Sequence, residues 1–177
     1  MGESDRSDRS ILLGLMLPAM LMPMLSTMSR VALPMVRDTF ALTADLTAWI
    51  DVSFTLPFML FMPVYGRLGD GLGARRLLLA GIALFTLGTA LVLNASTMPH
   101  LLVGRTVQGI GLAGMTPLSI GLIASLFPPQ TRGQTMGTWS TVGPTTGFFG
   151  PLAAGLLVDA WGWQAAFAPS LVCGFIA

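Results

Sequence analysis

The chain has 177 residues, of which 53% are hydrophobic and 10% charged, and its net charge is +1. Soluble domains carry roughly 25% charged residues, so a water-exposed globule is excluded, and with no lysine and no basic cluster among its arginines so is a nucleic-acid-binding protein. A mean hydropathy of +0.75 makes lipid or other apolar helices the surroundings of most side chains. Cys173 is the only cysteine and His100 the only histidine, so neither an internal disulfide nor a histidine-rich metal site is expected, and no cofactor is implied.

The polar stretch 1–10, MGESDRSDRS, reads as a tail, and its lack of Ser or Thr at position six argues against myristoylation. The apolar run 11–33 is too long for the core of a signal peptide and predicts a first transmembrane helix. A bilayer core of about 30 Å needs about 20 helical residues. Further spans are predicted at 46–65, 77–94, 99–125, 134–158 and 164–177. The sixth is short of a full crossing, so the chain is expected to be cut inside it. The links are Pro34–Asp45, Gly66–Arg76, Asn94–Met98, Pro128–Gly133 and Asp159–Trp163, each rich in turn formers. The fold class is therefore all-α, a polytopic membrane helix bundle whose first partner is the lipid bilayer.

With the N-terminus inside, Arg6, Arg9, Arg67, Arg75, Arg76 and Arg132 fall on the inner side and Arg37 alone on the outer. This bias predicts a cytoplasmic N-terminus. The pattern G-x-L-x-D-x-x-G occurs at Gly66, Leu68, Asp70 and Gly73 and again at Gly155, Leu157, Asp159 and Gly162, an offset of 89 residues. The same offset carries the first span onto the fourth and the second onto the fifth. Two three-helix units in opposite orientation are an organisation found in secondary transporters.

Met16, Met20, Met24 and Met28 share one face of the first span. A copper path is conceivable there, but packing is the better reading because no Cys or His is near. Arg30 lies near the outer end of the first span and Asp51 near the outer start of the second. Their similar depth suggests an intramembrane ion pair; the alternative is that both reach water.

The segment between the second and third spans, Gly66 to Arg76, resembles the loop motif of the major facilitator superfamily, G-x-L-a-D-r-x-G-r-R/K. The resemblance makes Gly66, Asp70, Gly73, Arg75 and Arg76 a conformational latch, with Gly71 and Ala74 standing where the family often has Arg. The fourth span carries Arg105, Gln108, Gly109 and Gly111 in an arrangement similar to the family's R-x-x-Q-G-x-G. An arginine inside a span costs about 2.5–3.5 kcal/mol at mid-bilayer, so it should face the bundle interior, or else snorkel to the headgroups. By resemblance Arg105 is the proton-coupling group, with Gln108 and Gly109 beside it. Gly109, Gly111 and Gly114 also match G-x-G-x-x-G. With no preceding strand, they read as small residues for close helix packing and not as a nucleotide site.

In the fifth span Gly150, Pro151 and Gly155 resemble the family's antiporter motif, which marks exporters that exchange substrate for protons; Ala154 and Thr146 replace two of its glycines. Trp161, Trp163 and Phe167 follow, as an outer aromatic belt would. The first span ends in Ser26, Thr27 and Val31 to Pro34, similar to the drug–proton antiporters with fourteen helices, except that Leu25 and Arg30 replace the subfamily's Asp and Asn.

The resemblance thus implies the N-terminal six-helix bundle of an efflux carrier, in inverted 3+3 repeats. It would lie in the cell membrane and act by alternating access on a small molecule and protons. The missing C-terminal bundle would be its partner. No catalytic constellation is expected. A non-transporting membrane remnant, a helix-interaction module and a metabolite uptake carrier stay open as alternatives.

Overall fold

The computed structural model describes the backbone of residues 3–176 and the side chains of residues 12–176. Of the expected tail 1–10, residues 1–2 and every side chain lie outside the described residues, as does Ala177. The elements are α1 (Glu3–Thr39), α2 (Ala44–Leu72), α3 (Ala74–Leu93), α4 (Met98–Leu112), α5 (Met115–Leu126), α6 (Pro129–Ser140), α7 (Val142–Trp161), a 3₁₀ turn (Trp163–Phe167) and α8 (Ala168–Ile176). Among the described residues five stretches are long and apolar enough to cross a bilayer: Leu12–Thr39, Ala44–Leu72, Ala74–Leu93, Met98–Leu126 and Pro129–Trp161. Trp163–Ile176 is apolar but shorter.

Several helices outrun their sequence boundaries for local reasons. α1 continues through Pro34 because Val36 is buried and Phe40 N–H still donates to the Val36 carbonyl at 3.1 Å. The expected loop 66–76 is mostly helix. Gly66, Gly69 and Gly71 stay inside α2, and only Gly73, at φ 89°, leaves the right-handed region to start α3. The fourth and fifth spans, expected as single helices, are each two. Pro117 has no N–H for the Ala113 carbonyl and Pro144 none for the Ser140 carbonyl, and the helices break at Ala113–Gly114 and at Thr141.

α4 is the most enclosed element, and glycine makes it so. A Cβ on Gly111 would meet the backbone nitrogen of Phe85 and, at 2.7 Å, the Gly81 carbonyl oxygen on α3. A Cβ on Gly88 would meet the Gln108 nitrogen at 2.6 Å, and one on Gly109 the Phe54 carbonyl of α2. These backbones touch without side chains between them, the way membrane helices associate without a hydrophobic driving force. α1 packs in turn on α7, where Gly150 abuts Thr27, while α8 lies on α3 with Gly174 against Thr86.

The pairing follows the repeat. The first span packs on the fifth as the fourth packs on the second, and α3 lies on α4 as the 3₁₀ turn and α8 lie on α1. α3 against α8 is a pairing that exchanging the two units maps onto itself, as is the first span against the fourth through α1 and α5. The core runs through Leu21, Leu25, Phe85, Val92, Leu101, Leu112 and Ile123. Leu56, Met59 and Leu60 of α2 and Phe148, Leu152 and Leu156 of α7 are exposed.

Replacing Gly111 with Leu should cost about 1–3 kcal/mol or more of stability, because backbone on both sides of the new side chain cannot yield. Gly137→Ala, where a Cβ meets nothing within 4 Å, should be neutral. Thermal unfolding in detergent, read by loss of monodispersity, compares the two; equal midpoints would refute backbone contact as the cause.

Candidate functional site

Among the described residues one charged side chain is enclosed by the bundle. Arg105 is 2% exposed and sits two turns into α4. Its Nε donates to the Ile50 carbonyl at 3.3 Å, its Nη1 to Gln108 Oε1 at 3.3 Å and its Nη2 to Ser29 Oγ at 3.1 Å. Nη2 also lies 3.5 Å from Asp51 Oδ1, and the guanidinium carbon stands 4.9 Å from the centre of the Phe54 ring. Gln108, three residues on and so on the same helix face, donates from Nε2 to Thr89 Oγ1 at 2.9 Å. Thr89 donates to the Phe85 carbonyl. The network draws on α1, α2, α3 and α4.

Glycine brings the arginine's partners within reach. Gly109 lets α2 approach until the Ile50 carbonyl and Asp51 come into range, and Gly104 admits Val92 of α3 at 2.8 Å from a notional Cβ. A guanidinium offers five donors in a fixed fork. Here three are engaged by neutral acceptors, and the carboxylate supplies the charge. Removing one partner of a buried charge typically costs about 3–5 kcal/mol. Asp51 differs from the rest in being 56% exposed. Among the described residues it is the one ionisable group that touches the buried arginine and also reaches the outside of the bundle.

The anticipated Arg30–Asp51 pair does not form; Asp51 belongs to Arg105. Depth was read correctly, since Ser29 is at the level of Asp51, but successive helical residues point about 100° apart. Ser29 faces inward and Arg30 is exposed. Asp70, Arg75 and Arg76 are exposed around Gly73 and make no ion pair among the described residues. Gly150 is in close contact with Thr27, whereas Pro151 is exposed and a Cβ on Gly155 meets nothing within 4 Å. The structure therefore unites Arg105, Gln108, Gly109 and Asp51, and leaves the α2–α3 corner and the α7 motif apart from them. Ser29, Thr89, Phe54 and the Ile50 carbonyl were not singled out in the sequence; the available signal was a hydroxyl residue inside an apolar span.

Deeper along α1 and the fourth span a cavity of about 340 Å³ opens between α1, α5, α6 and α7.

Residues 15–177 match the Major Facilitator Superfamily. The chain is 32% identical to Multidrug resistance protein 3 of Bacillus subtilis over 161 residues, covering 91% of this chain and 31% of the relative. It is also 32% identical to the Tetracenomycin C resistance and export protein of Streptomyces glaucescens, covering 94% of this chain and 31% of that protein. The chain thus spans about a third of the length of these curated relatives. Its fold is similar to that of a bacterial homologue of the human lysosomal transporter Spinster, in an inward-facing and occupied conformation, with a TM-score of 0.69 and 24% identity over 96% of this chain and 43% of the other. The match begins in α1 and runs to the last residue, and the chain belongs to the Major Facilitator Superfamily of multi-pass integral membrane proteins.

Proposed function

We propose that the chain is the N-terminal bundle of a secondary carrier that exports a small molecule in exchange for protons by alternating access. The observation that carries this reading is the pairing of a buried guanidinium with a half-exposed carboxylate, Arg105 with Asp51. The names of the relatives, multidrug resistance and tetracenomycin C export, support the direction and the kind of cargo.

Arg105 holds a fixed positive charge among helices that cannot solvate it. While Asp51 is ionised, attraction ties α2 to α4. A proton arriving at Asp51 removes that attraction and leaves the arginine on Ser29, Gln108 and the Ile50 carbonyl. Proton occupancy then biases the bundle between two packings, and a cargo that favours one of them is coupled to the proton. Asp51 takes the part that a first-span aspartate has in the resembling subfamily, where this chain has Leu25.

The remaining motifs serve the movement. Asp70, Arg75 and Arg76, exposed at the α2–α3 corner, latch against the second bundle in one state. Gly150 against Thr27 allows α7 to slide over α1. The N-terminus lies on the cytoplasmic side of a cell membrane, a reading that the arginine bias supports.

In the complete gene product, Asp51→Asn should abolish acceleration of substrate export by an imposed proton gradient, and Arg105→Ala should do the same. Ser29→Ala, which removes one neutral acceptor worth about 1 kcal/mol, should slow transport severalfold and keep its dependence on the gradient. Undiminished gradient-driven export with Asn at position 51 would end the reading. Single cysteines at Gly71 and Gly133 should both react with an impermeant thiol reagent only from the cytoplasmic side; labelling from opposite sides refutes the topology.

A further inference from the structure

The buried arginine is held loosely by its polar partners. Its three hydrogen bonds are 3.1–3.3 Å long and its ion pair with Asp51 is 3.5 Å, whereas charge-assisted bonds settle near about 2.7–2.9 Å. The Ile50 carbonyl is also shared. Ser53 Oγ donates to it at 3.0 Å, and a carbonyl oxygen has only two lone pairs. Ser29 Oγ and Gln108 Oε1 are neutral acceptors. The contacts along the edge of the guanidinium therefore leave part of its charge uncompensated.

The flat side of the group has a partner of another kind. The guanidinium carbon of Arg105 stands over the Phe54 ring, 4.9 Å from its centre. That is inside the roughly 6 Å at which the negative face of an aromatic ring attracts a cation. Phe54 is buried, so little water screens the attraction. The ring is fixed from two sides. Phe58 stacks on it at 5.9 Å and 18°, and the Phe54 carbonyl lies against Gly109 of α4. Phe54 follows Asp51 by three residues, on one face of α2, so carboxylate and ring stand beside the same cation.

We propose that Phe54 is a positioning residue that sets how readily Asp51 takes up a proton. The inference rests on the reading of Asp51 as the proton-accepting partner of Arg105, and names what tunes it. While Asp51 is ionised, the guanidinium is divided between carboxylate and ring. Once Asp51 is protonated, the pull of the carboxylate is gone and the cation closes on the ring. The ring thus stabilises the protonated pair more than the ionised one and favours proton uptake. Other charged groups on the packed elements stand apart from the pair. α4 carries His100 near its start, α1 carries the exposed Arg30 and α3 carries Arg75 and Arg76 at its far end. Among the described residues Arg105 alone comes within ion-pair distance of Asp51.

The test reads protonation of Asp51 on the full chain in lipid nanodiscs, with the same pH on both faces. Dicyclohexylcarbodiimide modifies a carboxyl group in its protonated form, and peptide mass spectrometry reports the rate at Asp51 apart from the other acids. The midpoint is the pH at which that rate falls to half its acid-side value. Phe54→Leu should move the midpoint down by roughly 0.5–1 pH unit, about a three- to tenfold loss of proton affinity. Phe54→Tyr, which keeps the negative ring face, should hold the wild-type midpoint. Mono-, di- and trifluorinated phenylalanine at position 54 weaken that face at nearly constant shape and should lower the midpoint in steps. An unmoved or raised midpoint in the trifluorinated protein overturns the inference; water admitted beside Arg105 would raise it, by screening the pair. If Phe54→Leu does not fold, the fluorinated series decides alone. A stepwise shift with undiminished gradient-driven export by Asp51→Asn in the complete gene product defeats the export reading alone. Loss of that export with no shift across the fluorinated series defeats the role of Phe54 alone.

Discussion

A guanidinium cannot be left without partners where no water reaches it, and the inner bundle is arranged around that constraint. Arg105 is 2% exposed and always charged, so it must be satisfied by neighbours. No single helix supplies them. Ser29 comes from α1, the Ile50 carbonyl and Asp51 from α2, and Gln108 from its own helix, itself held by Thr89 of α3. Any loosening of α1, α2 or α3 from α4 exposes the charge to lipid. Polar satisfaction here does the work that solvent exclusion does in a soluble core.

The glycines of α3 and α4 follow from the same demand. Hydrogen bonds of 3.1–3.3 Å from one side chain to two flanking helices require close approach, and Gly109 removes the intervening atoms toward α2. Gly88, Gly104 and Gly111 do the same between α3 and α4, where Gln108 meets Thr89. On the other side of the molecule Gly150 does the same for α1 and α7. A Cβ added to Gly143, Gly147 or Gly155 would meet nothing within 4 Å. The same residue type therefore has two settings: close contact inside the bundle, and positions with room for a side chain.

Much of the architecture could be read from one dimension of the sequence, because hydropathy reports depth in the bilayer. The spans, their order and the repeat are all statements about depth. What escaped were features of direction and of backbone. Ser29 and Arg30 have the same hydropathic setting, but the helix turns one toward Arg105 and the other away. The glycines between Gly66 and Gly73 look like a loop by composition, yet only Gly73 adopts a conformation that helix forbids. The breaks at Ala113 and Thr141 were signalled by Pro117 and Pro144 four and three residues later, but an apolar run conceals them. Of the site, Arg105 and Asp51 stood out as charges in apolar surroundings and Gln108 through the motif resemblance, while Thr89 and the Ile50 carbonyl carry no such mark.

Gly73 is the single residue between α2 and α3. That corner has almost no slack. The connection ending α1, by contrast, runs over residues 40–43. Two helices tethered through one peptide unit on each side cannot translate independently at that end, so tilting α2 drags the start of α3 with it. Since α2 carries Asp51 and α3 carries Thr89, a displacement begun at the carboxylate reaches the glutamine network by two routes, through Arg105 directly and through the shared corner. The two ends of α2 thus form a lever whose fulcrum is the close crossing of Phe54 over Gly109.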